Sequence, residues 1–88
     1  MFRVKVTVML KRSVLDPQGA ALERALNACR DDALSFSEVS SVRVGKVIEM
    51  TCDGNDAESV KERMHSLADR ILANPVMEEY TVSVESLS

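Results

Sequence analysis

The stretch from Phe36 to Cys52 constrains this 88-residue chain more than any other part of it. Val42, Val44, Ile48, Met50 and Cys52 share one parity, the period of two that a half-buried strand requires. The run covers about fifteen residues, whereas a strand in a globular domain usually has about 5–6. Two arrangements satisfy that length. A tight turn at Gly45-Lys46 makes two short strands and a ferredoxin-like βαββαβ order. A single strand, straight or bent at Gly45, instead runs on past the core. Lys46 favours the second arrangement. It stands on the apolar parity, which is tolerable where a strand has left the core or where a bulge shifts the register. The expectation is one long bent strand whose far end needs another subunit to cover it.

The remaining elements follow from shorter patterns. Phe2, Val4, Val6, Val8 and Leu10 alternate with Arg3, Lys5 and Thr7, which predicts an opening strand with one buried face. Asp16-Pro17 suits an N-cap followed by the first helical position. Leu22, Ala25, Leu26 and Cys29 then form a stripe expected to face the sheet, with Glu23, Arg24 and Arg30 toward water and the helix ending near Asp31 to Leu34. Asn55, with Glu58 three residues on, resembles a capping box for a second helix. Its buried face reads as Val60, Met64, Leu67 and Ile71, supplemented by Ala57, Ala68 and Leu72. Asn74-Pro75 stops that helix, Asn by tolerating the left-handed position and Pro by being unable to continue. Tyr80, Val82 and Val84 predict a last strand. The expected class is α+β, in the order β-α-β-α-β. It has a mainly antiparallel sheet of three strands with two helices packed on one face, a ferredoxin-like variant in a single domain over residues 1–88.

Composition excludes several functions. A net charge of −3 is wrong for a general phosphate-backbone binder, and 3% aromatic residues are too few for a base-stacking surface, so no nucleic acid is expected. Met1 to Lys5 alternates charge with apolar residues and lacks a signal peptide's apolar core, and no apolar run reaches about 18 residues. The expectation is no membrane contact and a cytoplasmic chain in which Cys29 and Cys52 are small reduced hydrophobes. His65 is the only histidine and belongs to no recognisable nucleophile–base pattern. The acidic residues form no metal-ligating cluster, and Gly19, Gly45 and Gly54 are too scattered for a phosphate loop. No catalytic, cofactor or metal site is therefore expected. Exposed strand edges in a short domain either carry guarding charges or pair with something, and association across a two-fold axis is the favoured outcome.

Three blocks carry a family resemblance: Val14-Leu15-Asp16-Pro17-Gln18-Gly19, then Val39 with Val42-Arg43-Val44-Gly45-Lys46, then Leu72 to Glu78 around Asn74-Pro75. With the opening strand from Val4 to Lys11, they resemble the PurS family of small subunits of phosphoribosylformylglycinamidine (FGAM) synthase, in the family's order and over essentially the whole chain. The family commonly has Gly-Phe where this chain has Ser35-Phe36, and often an aromatic residue where this chain has Val47.

The resemblance implies a non-catalytic assembly subunit in de novo purine synthesis. Such a subunit forms a homodimer or tetramer and bridges a glutaminase (PurQ) and an ATP-dependent synthetase (PurL). It helps carry ammonia between them for conversion of formylglycinamide ribonucleotide (FGAR) to FGAM. Val42 to Cys52 is the expected pairing segment. The candidate interface residues are Val42, Arg43, Val44, Gly45, Lys46 and Ile48, with Asn74 and Pro75 shaping a docking surface. Two alternatives stand beside this reading: a ferredoxin-like regulatory module that binds a small effector between subunits, and a simple structural dimer.

Overall fold

In the computed structural model the alternation of Phe2, Val4, Val6 and Val8 with Arg3, Lys5 and Thr7 becomes the middle strand of a sheet. The structure describes residues 1–29 and 39–87. The elements are β1 (Phe2–Leu10), α1 (Pro17–Asn27), β2 (Gly45–Cys52), α2 (Ala57–Leu67) continued by a π-helical turn (Ala68–Leu72), and β3 (Glu78–Ser86). The strand order is β2-β1-β3, antiparallel on both sides of β1. This is the α+β class expected, with three antiparallel strands and two helices. The chain divides into two compact units, one of Met1–Lys11 with Gly45–Ser88 and one of Arg12–Val44.

In the first unit the core lies between β1 and α2. Val4, Val6 and Val8 are fully buried because each has a neighbour on both sides: Val4 stands between Met50 and Val84, and Val6 between Ile48 and Val82. Val60, Met64 and Ala68 close over them at intervals of four residues. Burying one such valine contributes about 1.5–3 kcal/mol relative to leaving it exposed. Tyr80 ties β3 to α2, its hydroxyl donating to the His65 carbonyl at 3.0 Å and its ring tilted against the imidazole.

Several expectations are corrected here. The second strand is not long: it begins at Gly45 and has 8 residues, against 9 in β1 and in β3. The favoured reading does hold in that Gly45-Lys46 is no hairpin turn, since Gly45 pairs with Met9 and Lys46 with Val8. The ladder starts no earlier because the amides of Val42 and Val44 are given to side-chain carboxylates. Lys46 keeps its apolar parity without any bulge and stays exposed at the end of the sheet.

On α2 the buried line runs Val60, Met64, Ala68, while Leu67 and Ile71 are 39% and 72% exposed. The spacing is four throughout, and the π turn, with the Ala73 amide donating to the Ala68 carbonyl at 2.8 Å, carries the line on to buried Ala73. The N-cap is Asp56 rather than Asn55: its carboxylate accepts from the Ser59 amide at 2.8 Å. Asn74 is not left-handed, Ser41 being the one non-glycine residue with positive φ among the described residues. No described helix is long and apolar enough to cross a membrane.

The sheet predicts its own sensitivity to truncation. Val6→Ala should lower the unfolding free energy by about 2–3 kcal/mol, the lost transfer term plus a residual cavity, in urea titration. Val47→Ala, at a residue 60% exposed on β2, should change it by no more than about 0.5 kcal/mol.

Candidate interaction site

Proline fixes the first turn of α1, and the residue before it supplies the cap. Asp16 Oδ1 accepts from the Gly19 amide at 2.9 Å. Its second oxygen accepts from the Val44 amide at 2.8 Å, so one carboxylate serves a helix end and a distant piece of backbone together. Further along α1, Glu23 accepts from the Val42 amide at 3.2 Å. Asn27 then clasps Val39 with both halves of its amide, accepting from the Val39 N–H at 2.8 Å and donating to the Val39 carbonyl at 2.9 Å. Asp16, Glu23 and Asn27 lie on one side of the helix, with Gly19 and Ala20 between them. The backbone of residues 39–44 runs antiparallel to α1 along this polar ladder. Ser41, at φ 58°, makes the local turn that lets the flanking amides reach it.

Close approach demands small residues. A Cβ on Gly19 would collide with the Val42 carbonyl oxygen and stand 2.9 Å from Asp16 Oδ2. Among the described residues of this unit the buried position is Gly19, while Leu22, Ala25 and Leu26, of the stripe expected to be covered, are exposed. The helix itself ends at Asn27, earlier than the expected Asp31 to Leu34, because the Asn27 side chain turns to Val39 and Ala28 closes the last turn on Arg24 and Leu26. Residues 31–34, Ser35 and Phe36 lie outside the described residues.

The amides hold the Asp16 carboxyl below its ordinary value, the Val44 N–H first and the Gly19 N–H second. Partial burial opposes them, and the Gln18 amide and the Arg43 charge add smaller pulls downward. Arg43 makes no ion pair among the described residues, and its Nη2 is buried with no hydrogen-bond partner. Arg12, Val14 and Leu15 line an open hollow of about 430 Å³ together with Arg43 and Val42.

The other sequence-predicted residues lie in the first unit. Gly45, Lys46 and Ile48 open β2, opposite Met9, Val8 and Val6. A side chain at Gly45 would meet Met9 and would come within 2.6 Å of the Val8 carbonyl, so glycine is needed there for proximity. Asn74 and Pro75 begin the turn into β3. Asn74 Oδ1 accepts from the Val76 amide at 3.0 Å, its carbonyl accepts from the Glu78 amide at 2.7 Å, and Glu78 returns a carboxylate oxygen to the Asn74 amide at 2.7 Å. Because Glu78 pairs with Leu10 and Gly45 with Met9, these two segments sit at the same end of the sheet, on opposite sides of β1. The sheet brings them to one end without bringing them into contact.

Asp16 and Glu23 already spend their oxygens on amides, and His65 is exposed with only its ring against Tyr80 and its carbonyl engaged. Residues 3–86 match the family described as PurS, phosphoribosylformylglycinamidine (FGAM) synthase. The chain belongs to the PurS family. It is similar to the PurS subunit of FGAM synthase from Methanocaldococcus jannaschii, 36% identical over 87 residues and 99% of each chain. The corresponding subunit from Bacillus subtilis is 39% identical, over 99% of this chain and 96% of the other. The crystal structure of the M. jannaschii PurS superposes with a TM-score of 0.82 at 35% identity, covering 100% of both chains. The B. subtilis PurS crystal structure gives 0.74 at 39% identity, covering 98% of this chain and 100% of that one.

Sequence reasoning passed over several residues that shape this candidate site. Glu23 was assigned to solvent, although it stands seven residues after Asp16 and hence on the same side of the helix. Asn27 follows four residues later on that side. Arg12 gave no signal, and Leu15 entered only within the block Val14 to Gly19 that carries the resemblance; the hollow they line is a property of the folded chain.

Protonating Asp16 removes an acceptor from two amides. The sign follows from the lowered carboxyl: its contribution is fully present above the ordinary aspartate value and fades as pH falls through the lower folded one. In an acid titration followed by NMR, the Gly19 and Val44 amide shifts should move together with a midpoint below that of an unfolded aspartate. In Asp16→Asn both should be flat over that range.

Proposed function

We propose that this chain is the non-catalytic assembly subunit of FGAM synthase, holding the glutaminase (PurQ) and the ATP-dependent synthetase (PurL) in a fixed register. As a member of the PurS family it is a subunit of FGAM synthase in purine biosynthesis. The finer role rests on where its functional groups are spent. Its best-placed carboxylates order its own backbone, whereas its cationic segment, Arg43 to Lys46, has no ion pair among the described residues. Such a segment serves to hold another molecule. Ammonia released from glutamine must reach the second active site before it is protonated or lost to water, and that requires fixed geometry between the two.

The edges of the sheet support self-association as well. β2 and β3 each pair with β1 alone among the described strands, which leaves each with an outer row of backbone groups. Of the expected segment Val42 to Cys52, we assign the strand Gly45 to Cys52 as the pairing edge, with Arg43 and Lys46 as charged contacts beside it and with Asn74-Pro75 shaping a docking surface. A homodimer or tetramer in the cytoplasm is the form this reading expects, consistent with the closed symmetry of most small oligomers.

Arg43→Ala and Lys46→Ala test the assignment. Each should weaken co-purification with the glutaminase and synthetase by about tenfold, roughly 1.4 kcal/mol of binding. Glutamine-dependent FGAM synthesis should fall in step. Assembly and activity indistinguishable from wild type would take both residues out of the interface.

A further inference from the structure

The backbone of residues 39–44 takes its order from outside itself. Among the described residues its amides give their hydrogen bonds to side chains of α1 and its cap: Val39 to Asn27, Val42 to Glu23 and Val44 to Asp16. The Val39 carbonyl accepts from the Asn27 side chain as well. No backbone–backbone hydrogen bond joins this segment to another described one. A helix or strand is held by its own ladder, whereas this stretch stays in place only while those side chains hold it.

Arg43 lies between two of the anchors. Val42 and Val44 flank it, so their bonds to Glu23 and Asp16 fix the backbone on both sides and with it the direction in which its Cβ leaves. Ser41, at φ 58°, has a conformation that a residue with a side chain keeps only where its surroundings impose it. The anchors differ in what else they do. Asp16 also caps α1 through the Gly19 amide, so its loss would disturb the helix itself. The side-chain hydrogen bonds of Glu23 and Asn27 among the described residues all go to Val42 and Val39.

We infer that Glu23 and Asn27 are positioning residues for Arg43: by accepting from the Val42 and Val39 amides they present its guanidinium to a partner subunit without touching that partner themselves. This rests on the assembly reading above, in which Arg43 is a contact, and adds the device that places it. A segment released from α1 would have to be ordered again on binding, and that cost weakens association. For Glu23 the acceptor oxygen matters and the charge does not, since a neutral side-chain amide oxygen can take the same N–H.

The test measures binding to the glutaminase and synthetase by Glu23→Ala, Asn27→Ala, Glu23→Gln and Arg43→Ala, and by each of the first two combined with Arg43→Ala. Melting curves and amide hydrogen exchange accompany every variant. Glu23→Ala and Asn27→Ala should bind about three- to tenfold more weakly, the cost of ordering one or two further groups. Exchange should quicken at Val42 in the first and at Val39 in the second, while Val4 and Val6 of β1 keep their protection. Combining either with Arg43→Ala should weaken binding no further than Arg43→Ala does alone. Glu23→Gln should restore what Glu23→Ala loses. If Glu23→Ala melts early, Asn27→Ala decides, because Asn27 is exposed at the end of α1. Losses that add to that of Arg43→Ala would make the two residues independent contacts and overturn the inference. Wild-type binding in both alanine variants beside a weakened Arg43→Ala would overturn it too, and leave the assembly reading standing. Equal losses in Glu23→Gln and Glu23→Ala would assign the effect to charge and overturn the acceptor role. Wild-type binding in Arg43→Ala itself would overturn the contact assignment, and this inference with it.

Discussion

Three side chains, the N-cap and one side of α1, hold the backbone of residues 39–44 in place, and the proposed interaction surface depends on that hold. Asp16, Glu23 and Asn27 take up the amides of Val44, Val42 and Val39. A segment whose amides are spent this way cannot continue a β-ladder, which is why β2 begins at Gly45, immediately after the last of them. Arg43 makes no ion pair among the described residues, its Nη2 is buried without a hydrogen-bond partner there, and its charge acts on the Asp16 carboxylate at a distance.

The sheet supplies a different kind of order. β1 sits between two antiparallel neighbours, and its valines are buried because strands on both sides and α2 above them remove water. The outward side is polar, with Arg3 between Glu49 and Glu85 at 3.3 and 3.7 Å. These are exposed pairs that add little to stability, about 0–1 kcal/mol each. They do keep that side charged, which discourages indiscriminate stacking of sheets. Arg3 is therefore paired within the chain, whereas Arg12 and Arg43 make no ion pair among the described residues.

Much of this was legible in the sequence, for physical reasons that differ by element. The parity of Val4, Val6 and Val8, and of Ile48, Met50 and Cys52, is a backbone property of strands, so the strands and their buried faces could be read directly. Asp16-Pro17 was legible because capping is local. The length of β2 was not, since parity continues through Val42 and Val44 whether their amides meet a neighbouring strand or a carboxylate. The face of α2 was half legible: Leu67 and Ile71 fit an ordinary helical stripe, but the line of contacts follows steps of four into a π turn. Of the candidate interface residues, sequence could group Val42 to Lys46 only as neighbours in the chain. Folding divides them between two compact units, Val42 to Val44 with α1 and Gly45 onward with the sheet.

A chain that works by holding two other active sites in register should matter for the transfer of ammonia and not for its chemistry. The direct measurement is FGAM formation by the glutaminase and synthetase, with and without this chain, fed either glutamine or free ammonia. The account predicts that omitting the chain abolishes glutamine-dependent synthesis while ammonia-dependent synthesis by the synthetase continues. Equal loss of both, or glutamine-dependent synthesis that proceeds undiminished without it, would contradict it.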